Sequence, residues 1–256
     1  MSKFKTTEEI DLLRESGKRL ARVLQRVAGE IKPGVTTKYL DEVAERLIRE
    51  TGDIPPFLHY TPHGARKPFP ASLCVSINDE IVHGIPGERK ILDGDIVSID
   101  LGLTHKGMVT DAALTIPVGK IPAEVAELIK ETERSLYEGI KAMHIGGRIG
   151  DIGAAIERVA HKNNYGIVRE LGGHGVGHAV HEDPYVPNYG TKGTGPLLKS
   201  GMVLALEPMF TLGNDDVVLM PDGYTIVTED GSLSAHFEHT AAVTPDGIEI
   251  MTLASP

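Results

Sequence analysis

Five residues spread over more than half of the chain have the types and settings of a metal centre: Asp100, Asp111, His174, Glu207 and Glu238. Asp100 ends the apolar run Ile96-Val97-Ser98-Ile99, and Asp111 follows eleven residues later, past a turn marked by His105-Lys106-Gly107. That spacing suits a hairpin whose two carboxylates face one another. Taken alone, each Asp could equally be a turn or cap residue. Glu207 closes Val203-Leu204-Ala205-Leu206 just before the strand-breaking Pro208, and Glu238 sits in an apolar run expected as one strand over 234–243. A carboxylate there could merely guard a sheet edge. His174 lies in Gly172-Gly173-His174-Gly175-Val176-Gly177-His178-Ala179-Val180-His181, three histidines within eight residues among four glycines, which let backbone crowd a ligand.

Together these residues make an oxygen-rich shell with one imidazole, suited to hard or borderline divalent ions such as Mn(II), Fe(II), Co(II) or Zn(II). Four carboxylates balance two divalent ions in charge, so two metals fit better than one. A metal pair of this kind acidifies water and polarises a carbonyl, which makes hydrolysis the natural reaction. A spare carboxylate can then relay a proton, and imidazoles outside the shell can hold a substrate carbonyl or oxyanion. His83, in Ile81-Val82-His83-Gly84-Ile85-Pro86, and His181 are the candidates.

The elements that must position these groups alternate between helix and strand. Helices are expected over 7–31 and 37–49, strands over 73–77, 95–101 and 108–118, and then helices again over 123–143 and 151–162, from apolar periodicity, caps and Gly or Pro stops. The second half echoes the first. Gly34, Val43 and Leu47 match Gly147, Ile156 and Ala160 at an offset of 113 residues, and the run from Leu92 to Asp100 resembles that from Leu198 to Glu207 once one residue is skipped. An α/β chain of two pseudo-twofold halves is expected, with the site where they meet.

Composition agrees with an ordinary folded protein, at 41% hydrophobic and 24% charged residues. A net charge of −10 argues against nucleic acid as the main ligand. The lone Cys74 excludes an internal disulfide and fits a reducing compartment, and neither a signal peptide nor a membrane span is evident, so a cytoplasmic protein is expected.

Ser76-Ile77-Asn78, Val82-His83-Gly84-Ile85-Pro86, Gly94-Asp95-Ile96-Val97-Ser98-Ile99-Asp100, Thr110-Asp111, Gly173-His174-Gly175-Val176-Gly177 with His181-Glu182, Glu207-Pro208 and Phe237-Glu238-His239-Thr240 come in the order found in bacterial type I methionine aminopeptidases, which the chain resembles over essentially its whole length. The resemblance implies the pita-bread fold, a curved antiparallel sheet covered by helices, as one catalytic domain over 1–256 with halves of about 7–119 and 120–250. It implies that Asp111 and Glu238 bridge both ions, that Glu207 is also the proton shuttle, and that His83 and His181 contact substrate. Phe69, Cys74 and Tyr224 match the region where the family lines its methionine pocket. The chain departs from the family pattern around 60–70, with Ala65-Arg66-Lys67-Pro68, and at Gly172, where cysteine is frequent. The implied activity is removal of the initiator methionine when the second residue is small, by a monomer whose partners are nascent N-termini and, by extension, the ribosome. The alternatives are an X-Pro dipeptidase of the same fold, which usually carries an amino-terminal domain for which the early strands leave no room, and a metal-free pita-bread binding protein.

Overall fold

Thr6 starts the first helix, α1 (Thr7–Ala28), through a reciprocal cap in which its hydroxyl accepts the Glu9 N–H and the Glu9 carboxylate accepts the Thr6 N–H. The computed structural model describes residues 4–62 and 64–253. The helix stops three residues short of the expected end because Gly29 takes the C-cap position, its N–H returning to Gln25 O. Ile10, Leu13, Leu20, Val23, Leu24 and Val27 bury one face of it. Thr36 caps α2 (Thr37–Glu50) with its hydroxyl alone, which accepts the Tyr39 N–H.

Strands β1 (Leu73–Ile77), β2 (Glu80–Val82), β3 (Ile96–His105) and β4 (Met108–Pro117) follow, with β1-β3-β4 forming one antiparallel sheet. Lys106 and Gly107, at φ 48° and 84°, make the two-residue loop of the β3–β4 hairpin, so β3 runs four residues past the expected 95–101. After α3 (Ala123–Ala142) and α4 (Ile149–Asn163) come β5 (Gly166–Ile167), β6 (Gly172–Gly175), β7 (Glu182–Pro187), β8 (Val203–Leu206), β9 (Met209–Thr211), β10 (Val217–Leu219), β11 (Ile226–Thr228), β12 (Ser234–His236), β13 (His239–Thr244) and β14 (Gly247–Ile250). They form sheets ordered β14-β13-β8-β6-β7, β12-β9-β5 and β10-β11-β2, antiparallel throughout. The strand expected over 234–243 is two, broken at Phe237-Glu238. There the Glu238 backbone leaves its own sheet and exchanges hydrogen bonds with Ala113 of β4, at 2.9 and 3.4 Å.

The duplication is present, at a different offset. Gly34 N–H bonds Ile91 O and Ile91 N–H bonds Val35 O, while Gly146 N–H bonds Leu198 O and Leu198 N–H bonds Gly147 O. Gly34 therefore corresponds to Gly146, both left-handed at φ 89° and 84°, and the helices align at 112 residues rather than 113. Buried Leu40, Val43, Ala44 and Ile48 then fall on buried Ile152, Ala155, Ile156 and Ala160. An amphipathic stripe is wide enough to hide a one-residue slip, whereas backbone hydrogen bonds are not. Ile91 on Leu198 also carries Asp100 onto Glu207 at 107 residues, with none skipped.

The returning strands align at 125 residues. Thr240 Oγ1 accepts from Asp111 N and donates to Asp111 O, and Thr115 Oγ1 does the same with His236. The offset turns one set of bonds into the other and exchanges Ala113 with Glu238, so the seam of the two halves passes between that last pair. Each half has its own core, around α1 and α2 in the first and α3 and α4 in the second.

Candidate functional site

The carboxylates gather at this seam. Strand register pairs Asp100 with Ala113 and Asp111 with Gly102, so the two acids lie diagonally on one face of the hairpin, two residue pairs from the direct opposition expected. Their negative charges still act on one another, which adds to burial in raising the pKa of Asp100. Glu207 stands just past the end of β8, and Glu238 occupies the break between β12 and β13 instead of a strand. His174, on β6, is paired with Ala205 of β8. One ligand atom from each of Asp111, His174 and Glu238 lies within 4.8 Å of the others, and His174 Nε2 is 3.6 Å from Glu207 Oε1.

The electrostatics suit a cation. Burial first, and then the neighbouring negative charges, raise the pKa values of Asp100, Asp111 and Glu238, and burial alone raises that of Glu207. Asp100 Oδ1 and Glu238 Oε1 are buried with no hydrogen-bond partner, an expensive arrangement unless a positive charge satisfies them. His174 Nδ1 lies 2.9 Å from Gly175 O, which can only accept, so that nitrogen carries the proton and Nε2 presents a lone pair toward Glu207. Burial pushes the His174 pKa down to about 3, keeping it in the neutral form a ligand needs. Close backbone approach explains the glycine before it: a Cβ at Gly173 would stand 2.2 Å from Ala205 O.

One cleft unites this cluster with the other expected residues. Asp100, Asp111, His174, Glu207 and Glu238 line it together with His83, His181, Phe69, Cys74 and Tyr224. His83 sits at φ 60°, and burial takes its pKa down to about 4. His181 Nδ1 is 2.9 Å from Tyr60 Oη, and its ring meets that of His174 edge-on at 4.4 Å. Phe69 and Tyr224 pack edge to face at 5.1 Å, while the Tyr224 hydroxyl donates to Lys67 O. Cys74 lies opposite Asp100 on β1, its thiol pushed up by burial and by the carboxylates beside it.

His178, the third histidine of the cluster, faces elsewhere: its Nε2 bonds Glu9 at 2.7 Å, and Glu182 accepts the backbone N–H groups of His178 and Ala179 while pairing with Lys5 at 2.5 Å. That anchorage fixes the loop leading to His181.

Sequence reasoning left out part of the wall and one imidazole. Phe57, Tyr60, Pro62 and Val180 complete the apolar side of the cleft, Tyr60 and Pro62 from the stretch that departs from the family pattern. Two aromatics among prolines, in a segment too ordered by those prolines to be a solvated linker, were the available signal. A Cβ at Gly172 would come within 2.9 Å of both Tyr185 Oη and Val186 O, so glycine leaves room for that tyrosine. His236 is 1% exposed with its Nε2 3.6 Å from Glu207 Oε2. Its position two residues before Glu238, on an alternating strand, was the clue.

The profile of metallopeptidase family M24 matches residues 11–245. The methionine aminopeptidase of Clostridium perfringens is 46% identical over 250 residues, covering 98% of both chains. That of Mycobacterium tuberculosis is 45% identical over 252 residues, covering 96% of this chain and 92% of its own. The crystal structure of the Rickettsia prowazekii methionine aminopeptidase superposes with a TM-score of 0.94 at 40% identity, covering 99% of this chain and all of that one. The Pyrococcus furiosus prolidase shares the fold at a TM-score of 0.77 and 21% identity, and the match covers 66% of its length. With a fold, an acid cluster and full-length relatives in agreement, the chain belongs to metallopeptidase family M24, among its methionine aminopeptidases.

Proposed function

We propose that the protein removes the initiator methionine from nascent polypeptides whose second residue is small, using two divalent ions held by Asp100, Asp111, His174, Glu207 and Glu238. The observation that carries this reading is the single cleft in which unpaired, buried acid oxygens stand beside an apolar aromatic wall. Asp111 and Glu238, which come from opposite halves, would hold the ions together with Asp100, Glu207 and His174. Four negative charges match two divalent ions drawn from Mn(II), Fe(II), Co(II) or Zn(II). When bound, such a pair supplies Lewis acidity, making a neighbouring water nucleophilic at neutral pH and polarising the scissile carbonyl.

The chain's own residues do the rest. Glu207, with a pKa raised by burial, takes a proton from the attacking water and gives it to the leaving amine. His83 and His181, both kept neutral by burial, hold the carbonyl oxygen as charge develops on it. Phe69, Cys74 and Tyr224, with Phe57, Tyr60 and Val180, receive the methionine side chain, a flexible thioether that packs well against aromatic rings. The unit acts as one catalytic domain in the cytoplasm, as a monomer, on N-termini as they emerge from the ribosome. None of the described helices is long and apolar enough to cross a membrane.

An X-Pro dipeptidase is the weaker reading, because the prolidases share little beyond the fold at 20–22% identity. A metal-free binding protein leaves the orphaned acid oxygens unexplained. Turnover of Met-Ala-Ser is expected to exceed that of an X-Pro dipeptide, to vanish on chelation and to return with Mn(II), Co(II) or Fe(II). Faster X-Pro cleavage, or no activity with any of the metals, sinks the proposal.

A further inference from the structure

Two imidazoles flank the Glu207 carboxylate, His174 Nε2 at 3.6 Å from one oxygen and His236 Nε2 at 3.6 Å from the other. They cannot play the same part. His174 has its proton on Nδ1, committed to Gly175 O, so it meets Glu207 with a lone pair. His236 is 1% exposed, and neither of its ring nitrogens has a hydrogen-bond partner. Leaving an imidazole buried and unpaired is costly. His239, three residues on, shows the ordinary alternative: its Nδ1 is paired with Thr252 and its Nε2 with Tyr137.

The duplication gives the second, independent reason. The offset that superposes the Thr115 bonds on the Thr240 bonds sets His236 where the first half has Asp111, and the strand offset sets Glu207 where it has Asp100. The diagonal pair Asp100 and Asp111 thus recurs as Glu207 and His236. Where the first half offers acid beside acid, the second offers acid beside a potential donor.

We infer that His236 is a positioning residue for Glu207: its Nε2–H donates to Glu207 Oε2 and orients the carboxylate, leaving the other oxygen to exchange protons with water and amine. The separation of 3.6 Å lies beyond a hydrogen bond. Contacts of this kind tighten when substrate binds. The inference rests on the functional reading above, and wild-type turnover of Met-Ala-Ser tests that reading separately.

Replacement of His236 by Leu, Gln and Asn tests the role. His236→Leu keeps bulk without a donor and is expected to lower kcat about 10- to 100-fold with KM within about twofold, as loss of an outer partner of a metal centre does. Gln, whose amide reaches the Nε2 position, restores kcat to within a few-fold of wild type; Asn, whose amide reaches only Nδ1, does not. Calorimetric titration of the chelated proteins with Mn(II) keeps two sites in every variant that folds. Full kcat in the Leu variant, equal activity of Gln and Asn, or loss of one Mn(II) site overturns the inference, and the Gln and Asn pair decides it should Leu fail to fold. A readout free of turnover is the ring tautomer of His236, by nitrogen NMR on Zn(II)-loaded protein: a proton on Nε2 alone is expected, and a proton on Nδ1 alone refutes the donation.

Discussion

Glu207 is proposed as both ligand and proton carrier, and its surroundings suit both parts: it leaves β8 at the seam, burial raises its pKa, and imidazoles stand on either side. Glu207→Gln keeps the shape and removes the basic oxygen. We expect kcat on Met-Ala-Ser to fall about 10²- to 10⁴-fold, the range of general acid–base catalysis, well beyond any weakening of Mn(II) affinity measured by calorimetry on the same protein. A variant retaining most of its turnover counts against the relay. His83→Ala, assayed alongside, should slow turnover with metal content intact, since His83 lines the cleft with no carboxylate contact of its own among the described residues.

At the scale of elements, the site depends on two threonines that stitch the halves together. Thr240 satisfies the backbone of Asp111, and Thr115 that of His236, in equivalent places on returning strands. Thr240→Val and Thr115→Val keep the volume but strand a buried N–H and C=O, so each should lower unfolding free energy by about 1–3 kcal/mol in urea titrations. Only Thr240→Val moves the backbone of a proposed ligand, Asp111, so only it should also weaken Mn(II) binding. Equal metal affinities in the two variants would show that Asp111 is held by other means. Close backbone approach does the same work at His83, where a Cβ on Gly84 would lie 2.2 Å from Val75 O.

For the whole molecule, two cores meet at an acid cluster drawn from both halves, so ions bound there tie the halves to one another. Saturation at about 100 times Kd stabilises by about 2.7 kcal/mol for each ion site, which for a chain of this size raises Tm by roughly 5–11 °C per site. Calorimetry of chelated and Mn(II)-loaded protein should show one transition that moves as a unit. Two transitions, with only one responding to metal, would mean the halves are not coupled through the centre.

The sequence by itself determined the chemistry and the kinds of element. Lone carboxylates at the ends of apolar runs and a glycine-bounded histidine cluster carry their own signal, because burying such groups unpaired is costly enough to require a purpose. The strand over 73–77 and the helix starts at Thr7, Thr37 and Ala123 were legible from local caps and periodicity. What only the tertiary structure decided was registration: the one-residue error in the repeat, the strand break that frees Glu238, the diagonal placement of Asp111, the departure of His178 toward Glu9, the arrival of Tyr60 at the cleft and that of His236 beside Glu207. Periodicity reports which face of an element is apolar and tolerates a slip along it, whereas backbone hydrogen bonds between distant strands admit one register and so fix which side chains meet.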